Sequence, residues 1–202
     1  MSANAILESE EFKACEAFHG HICPGLSIGY RAAKIGLEYL KQQRAVDEEL
    51  VAVVETDACC VDAVQVLTGC TFGKGNFIYR DHGKMAFTFF SRVSGKGIRL
   101  SMRNGAFSPE GEHADLLRKV MTGDATKKMT RRFKELHFQR SCDVLEMPSE
   151  TLFTVSEVTV PLPEKARMEP SEPCEECGEP TMASKLLHVN GKKYCRGCAV
   201  SE

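Results

Sequence analysis

Two CxxC pairs near the C-terminus, Cys174-x-x-Cys177 and Cys195-x-x-Cys198, carry the strongest chemical signal in this sequence. Each pair can turn two thiolates toward one ion, and the stretch 178–194 between them fits the spacing of a four-cysteine zinc site. Leu186-Leu187-His188-Val189-Asn190-Gly191-Lys192-Lys193-Tyr194 reads as strand, Asn-Gly turn and strand, which would bring the pairs together as a zinc ribbon or treble clef. With protein sulfur in all four positions, such a site is structural Zn2+. A second set of candidates lies far upstream. His21 and Cys23 fall in Phe18-His19-Gly20-His21-Ile22-Cys23-Pro24-Gly25, and Cys59, Cys60 and Cys70 flank a short helical pattern. Imidazole and thiolate are good donors to zinc-like metals, so His21, Cys23 and Cys60 are expected to form a core metal site, with Cys59 or Cys70 as a further ligand. A low-pKa cysteine nucleophile, Cys23 or Cys60, with His19 or His21 as its base is the competing chemistry.

These residues must be positioned by the elements around them. Gly20 and Pro24-Gly25 stop one helix and start another, leaving His21 and Cys23 on a short connection. Ser9 caps the first of these helices, expected to run to about His19. Leu26, Tyr30, Ala33, Leu37 and Leu40 give the second an apolar face, while Gly29, Ala32 and Gly36 form a smooth stripe for close approach on another side. Leu50 to Glu55 is a buried strand. Cys59 and Cys60 then sit at a strand-to-helix turn, where a helix N-terminus favours a thiolate, and Asp57 and Asp62 are near. Adjacent cysteines seldom point the same way, so one of the two should face the site and the other should pack.

Phe77–Arg80, Lys84–Arg92 and Gly97–Met102 are strand candidates, read as antiparallel neighbours from the hairpin-like Asp81-His82-Gly83 and Ser94-Gly95-Lys96-Gly97. Ser108-Pro109 should open a helix ending at Thr122-Gly123, and residues 126–146 should form another. Its basic residues, Lys127, Lys128, Arg131, Arg132 and Lys134, are read as a solvated face. Leu152–Val160 is the last core strand. The expected fold is therefore α+β, with helices on a mixed, largely antiparallel sheet. Domains are expected at 1–160 (core), 161–173 (Pro-rich linker) and 174–202 (zinc module).

A net charge of -2 supplies no bulk attraction to nucleic acid, and Glu172, Glu175, Glu176 and Glu179 around the first CxxC argue against a phosphate-binding zinc ribbon. No apolar run reaches membrane-spanning length, and the N-terminus lacks a signal-peptide pattern, so a cytoplasmic location without membrane association is expected. Ten cysteines in that compartment point to metal ligation or thiol chemistry rather than disulfides. Gly69-x-x-x-Gly73-Lys74-Gly75 is not a P-loop, because it is one residue short, lacks Ser or Thr after the lysine and precedes a strand. Lys74 remains a candidate contact for an anionic ligand.

Over about residues 12–155 the chain resembles the FmdE family, the E component of formylmethanofuran dehydrogenase. The resemblance rests on Phe18-His19-Gly20-His21-x-Cys23-Pro24-Gly25, on Glu55-Thr56-Asp57-x-Cys59-Cys60-x-Asp62-Ala63, and on Thr68-Gly69-Cys70-Thr71-x-Gly73-Lys74-Gly75-Asn76. It implies an α+β core, a homodimer, and motif residues lining a metal or catalytic cavity. It further implies association with molybdenum or tungsten pterin enzymes of one-carbon metabolism as an accessory or redox-linked component. The pterin itself is expected elsewhere, and no pterin signature is present in this sequence. The terminal CxxC pairs match a zinc module that some members of that family carry.

Overall fold

The computed structural model describes residues 2–199. The first unit opens with α1 (Ala3–Leu7), a short helix that the sequence pattern does not announce, and α2 (Glu10–His19), capped by Ser9, whose Oγ accepts from Phe12 N at 3.2 Å. Gly20 ends α2 in the left-handed region at φ 91°, a conformation that costs glycine little. α3 (Pro24–Leu40) begins on Cys23 as its N-cap: the thiol accepts from Leu26 N at 3.3 Å, and Pro24 occupies the first turn, where a missing N–H is harmless.

β1 (Leu50–Val54), α4 (Cys60–Thr68) and β2 (Phe77–Tyr79) follow, then β3 (Ala86–Ser91) and β4 (Gly97–Met102). Next come α5 (Gly111–Thr122), α6 (Lys127–Glu146), a single-turn α7 (Ser149–Leu152) and β5 (Phe153–Val158). The sheet order is β2-β1-β3-β4-β5. Only the β1–β2 pair is parallel. This corrects the expectation that β2 neighbours β3. Instead of a hairpin, residues 80–84 pass over the end of β1, where Arg80 N donates to Val54 O at 2.9 Å and Lys84 N to Glu55 O at 2.8 Å. β1 therefore lies between the two strands, and α4 is the crossover that parallel pairing requires. α5 also starts later than expected, at Gly111 rather than after Ser108.

Side-chain alternation splits the sheet into two faces. Leu50, Ala52, Val54, Phe87, Phe89, Ile98, Leu100 and Phe153 join the helices in the main core. Val51, Val53 and Phe90 form a smaller cluster on the other face with Ile78, Val158 and Leu162. The smooth stripe of α3 works as anticipated, since the helix is buried on two sides. A Cβ on Gly29 would stand 2.0 Å from Cys60 O of α4, and one on Gly36 would stand 2.4 Å from the Phe89 ring of β3. Lys127, Lys128, Arg131, Arg132 and Lys134 of α6 are exposed.

The chain divides at Lys165/Ala166. Within the first unit, Arg92 fastens the segment after β5 by donating to Pro163 O at 2.6 Å and Glu164 O at 3.0 Å. In the second, β6 (Ser171–Pro173) pairs antiparallel with β7 (Pro180–Met182). Residues 171–173, expected as linker, are thus strand, held by that pairing. β8 (Leu187–Val189) and β9 (Lys192–Tyr194) form a hairpin turning on Asn190 (φ 51°) and Gly191 (φ 82°), as an Asn-Gly turn should. α8 (Arg196–Ala199) closes the described unit.

Candidate metal centres

In the second unit the order is knuckle, hairpin, helix, the layout of a treble clef. Cys174 and Cys177 lie on the β6–β7 turn, which Gly178 N closes by donating to Cys174 O at 2.9 Å. Cys195 follows β9, and Cys198 lies on α8, whose first turn folds Cys198 N onto Cys195 O at 3.1 Å. The four sulfur atoms all lie within 4.8 Å of one another. A tetrahedral zinc with Zn–S bonds of about 2.3 Å needs sulfurs roughly 3.8 Å apart, so these four residues fit the ion. Their electrostatics point the same way. N–H groups of Cys177 and Cys195 hold the Cys174 thiol down to about 6, whereas hydrogen bonding to Cys195 and Cys177 pushes Cys198 up to about 12. One thiolate is thus already favoured, and a dication is what lets the others ionise.

In the first unit a second convergence forms at the α2–α3 turn. Ligand atoms of His19, His21 and Cys23 lie within 4.8 Å of one another. Cys23 Sγ is 3.7 Å from His19 Nε2, close to the ~3.6 Å edge that a tetrahedral zinc with one nitrogen and one sulfur would impose. The ring centroids of His19 and His21 are 4.5 Å apart. His19 Nδ1 faces Asp62 Oδ2 of α4 at 2.7 Å, so the carboxylate fixes the tautomer that leaves Nε2 as a donor toward the turn. His21 is exposed and Cys23 is buried, 3 % accessible. Burial pushes the Cys23 thiol up to about 11 even though Leu26 N–H favours its thiolate.

The other sequence candidates fall as follows. Cys59 flanks Cys23: a Cβ on Gly25 would meet both sulfurs at 3.8 Å. Cys60 is not in the convergent set. Its thiol is buried against Met85 Sδ at 3.2 Å and the Ala58 carbonyl at 3.7 Å, and burial pushes it up to about 12. Of the adjacent pair, then, Cys59 turns toward Cys23 and Cys60 packs, with its backbone against Gly29. Cys70 lies at the opposite end of α4, buried in the core, with its N–H donating to Thr68 Oγ1 at 3.1 Å. Lys74 Nζ is spent on the Val46 and Asp47 carbonyls at 3.4 and 3.1 Å. His19, expected as a base, stands in the convergent set where Cys60 was expected. The sequence signal for that was its spacing, two residues before His21 across a glycine. The Asp62 contact joins residues far apart in the chain and had no local sign.

Two polar clusters had no signature in the sequence. Glu55 at the end of β1 accepts from Arg99 Nε and an Arg99 terminal nitrogen at 3.0 and 2.7 Å through one oxygen, while its other oxygen faces His82 Nδ1 at 3.0 Å. On α5 and α6, His113 Nε2 meets His137 Nδ1 at 3.1 Å.

A family model described as "FmdE, Molybdenum formylmethanofuran dehydrogenase operon" matches residues 18–154, a span containing both the convergent turn and the Asp62 helix. The chain belongs to the FmdE family. This FmdE protein also matches, over residues 169–201, the prokaryotic dksA/traR C4-type zinc finger, in keeping with the four convergent sulfurs. It is 35 % identical over 178 residues to a probable S-adenosyl-L-methionine-binding protein of Archaeoglobus fulgidus. That match covers 84 % of this chain and 48 % of the relative, so the chain spans about half the relative's length. The crystal structure of a tungsten formylmethanofuran dehydrogenase FmdE-like protein from Syntrophus aciditrophicus shares the fold, with a TM-score of 0.58 and 21 % identity. That likeness covers 99 % of this chain and 93 % of the other. The mixed α+β architecture and the four-cysteine module are those expected from sequence. No helix among the described residues is long and apolar enough to cross a membrane.

Proposed function

We propose that this FmdE protein binds a second metal ion at His19, His21 and Cys23, and serves as an accessory or redox-linked component of a molybdenum or tungsten enzyme system of one-carbon metabolism. The observation that carries the reading is the convergence of two imidazoles and one thiol on a rigid turn, with Asp62 oriented behind His19. Three protein donors leave a coordination position open, the mark of a working rather than a structural centre. The residues' own parts follow from their surroundings. Asp62 orients His19, the Leu26 N–H steadies the Cys23 sulfur, and exposed His21 sets the face from which solvent or a partner reaches the turn. In this reading the zinc module is a folded interaction surface, and the protein works in the cytoplasm as a homodimer beside the pterin-bearing subunits. Support for the system comes from the family description and from the name of the Syntrophus structure.

The thiol-nucleophile alternative is disfavoured, because burial raises both Cys23 and Cys60 well above neutrality. A second reading carries over the ligand named for the Archaeoglobus relative, S-adenosyl-L-methionine, since the shared part covers most of this chain. Equilibrium dialysis with labelled S-adenosyl-L-methionine tests it directly. Elemental analysis tests the main reading: more than one bound ion per chain in the wild type, falling to one in Cys23→Ser, is expected. A single ion per chain in both proteins contradicts it.

A further inference from the structure

β3 begins and β4 ends at the same end of the sheet, since Ala86 pairs with Ser101. A cavity of about 410 Å³ opens there, within the size range of small-molecule sites. Its walls carry three cations, Lys84, Arg99 and Arg103, and no carboxylate. Neither the α2–α3 turn nor the zinc module uses any of them.

Two of the three cations are anchored by groups outside the cavity walls. Arg99 gives Nε and one terminal nitrogen to a Glu55 oxygen at 3.0 and 2.7 Å. Arg103 gives Nε to the main-chain carbonyls of Glu150 and Phe153 at 2.8 and 3.3 Å. Among the described residues, the second terminal nitrogen of Arg99, both terminal nitrogens of Arg103 and Nζ of Lys84 have no partner. A guanidinium already fixed through Nε loses little freedom when its remaining donors meet an anion, so the fork is preorganised.

Charge narrows the class of ligand. Glu55, whose other oxygen faces His82 Nδ1 at 3.0 Å, offsets Arg99, whereas Lys84 and Arg103 form no ion pair among the described residues. Arg140, stacked on the Phe107 ring of the wall at 4.5 Å, adds to the positive field. Like charges gathered on one concave wall repel each other, and an anion of matching charge relieves that repulsion. A phosphate monoester is close to a dianion at neutral pH and presents three acceptor oxygens, whereas a single carboxylate would leave one cation unmatched. Ser101 and Asn104 add a hydroxyl and an amide to the walls, and Met85 and Phe107 give apolar surface for the rest of such a ligand.

We propose that the cavity at the β3–β4 end of the sheet binds the phosphate group of a small organic phosphate monoester, with Lys84 and Arg103 as charge partners and Arg99 held in place by Glu55. No metal at the α2–α3 turn is needed for it.

Isothermal titration calorimetry of the full chain loaded with zinc, using phenyl phosphate at neutral pH, provides the test. Wild type should bind the ester. Benzenesulfonate, the same ring with a monoanionic head, should bind at least about tenfold more weakly. Lys84→Gln and Arg103→Gln should each weaken phenyl phosphate by about tenfold or more, whereas Lys128→Gln, on the exposed face of α6, should leave it unchanged. Circular dichroism checks folding, and Lys84→Gln removes an exposed side chain without a partner, so it reads the site even if Arg103→Gln unfolds. Absence of binding in wild type, equal binding of benzenesulfonate, or undiminished binding in folded Lys84→Gln overturns the proposal. Loss of binding in Cys23→Ser with full binding in Lys84→Gln also overturns it, by placing the phosphate on a metal at the α2–α3 turn.

Discussion

His19 Nδ1 stands 2.7 Å from Asp62 Oδ2, joining the last residue of α2 to the first turn of α4. The contact decides which nitrogen of His19 is available to the turn. Asp62→Ala should therefore lower affinity at the His19–His21–Cys23 centre by about 10–100-fold without altering zinc in the second unit. Competition titration against a chromophoric chelator separates the two ions by affinity. Equal losses at both would show that Asp62 acts on stability rather than on the site.

Gly29 sets the distance between α3 and α4, hence between Cys23 and Cys59. Because an added methyl would stand 2.0 Å from the Cys60 carbonyl oxygen, Gly29→Ala should destabilise the first unit by about 3 kcal/mol. Gly73, which has open space at that point, should accept alanine within about 0.5 kcal/mol. Urea unfolding followed by circular dichroism measures both. Equal midpoints for the two variants would contradict the account of the smooth stripe.

Removal of metal from the second unit should unfold that unit alone, since so small a module buries too little apolar surface to fold without its ion. With a strong chelator, amide signals of residues 174–198 should collapse to the random-coil range while those of the first unit stay dispersed. A first unit that melts in step with the second would contradict this expectation.

Glu55 supplies a pH dependence. Burial by itself would raise its pKa, but the hydrogen bonds from His82 and Arg99 and their charges outweigh it and hold the carboxyl below the ordinary value of 4.5. A depressed folded pKa gives stability that is complete above the unfolded value and is lost as pH falls through the folded one. Glu55→Gln should thus be less stable than wild type by about 2–4 kcal/mol at pH 7. The gap should narrow below about pH 4.5 and close in stronger acid. Denaturation midpoints at pH 7, 5, 4 and 3 provide the measurement, and a gap independent of pH would contradict the assignment.

What could be read from the sequence was whatever is encoded locally. The Ser9 cap, the Gly20 stop, the Cys23-Pro24 start, the Asn190-Gly191 hairpin and the CxxC spacing each act within a few residues, and each appears where the residue types put it. The stripe of Gly29 and Gly36 was legible as closeness but not as the identity of the neighbours. Three features were hidden because they join distant parts of the chain. β2 sits on the far side of β1 because residues 80–84 bond to the end of that strand, which no hairpin signal reveals. Cys60 rather than Cys59 turns inward because its backbone packs on Gly29, a helix-to-helix contact. The His113–His137 pair lies on two helices whose sequences show only scattered histidines.

An anomalous-scattering map from crystals of the full chain, collected on both sides of the zinc edge and of the edges of neighbouring transition metals, tests the central claim most directly. Two peaks are predicted, one amid the four sulfurs of Cys174, Cys177, Cys195 and Cys198, the other bounded by His19 Nε2, Cys23 Sγ and the His21 ring. A map from metal-supplemented crystals with the first peak and only solvent at the α2–α3 turn would contradict it.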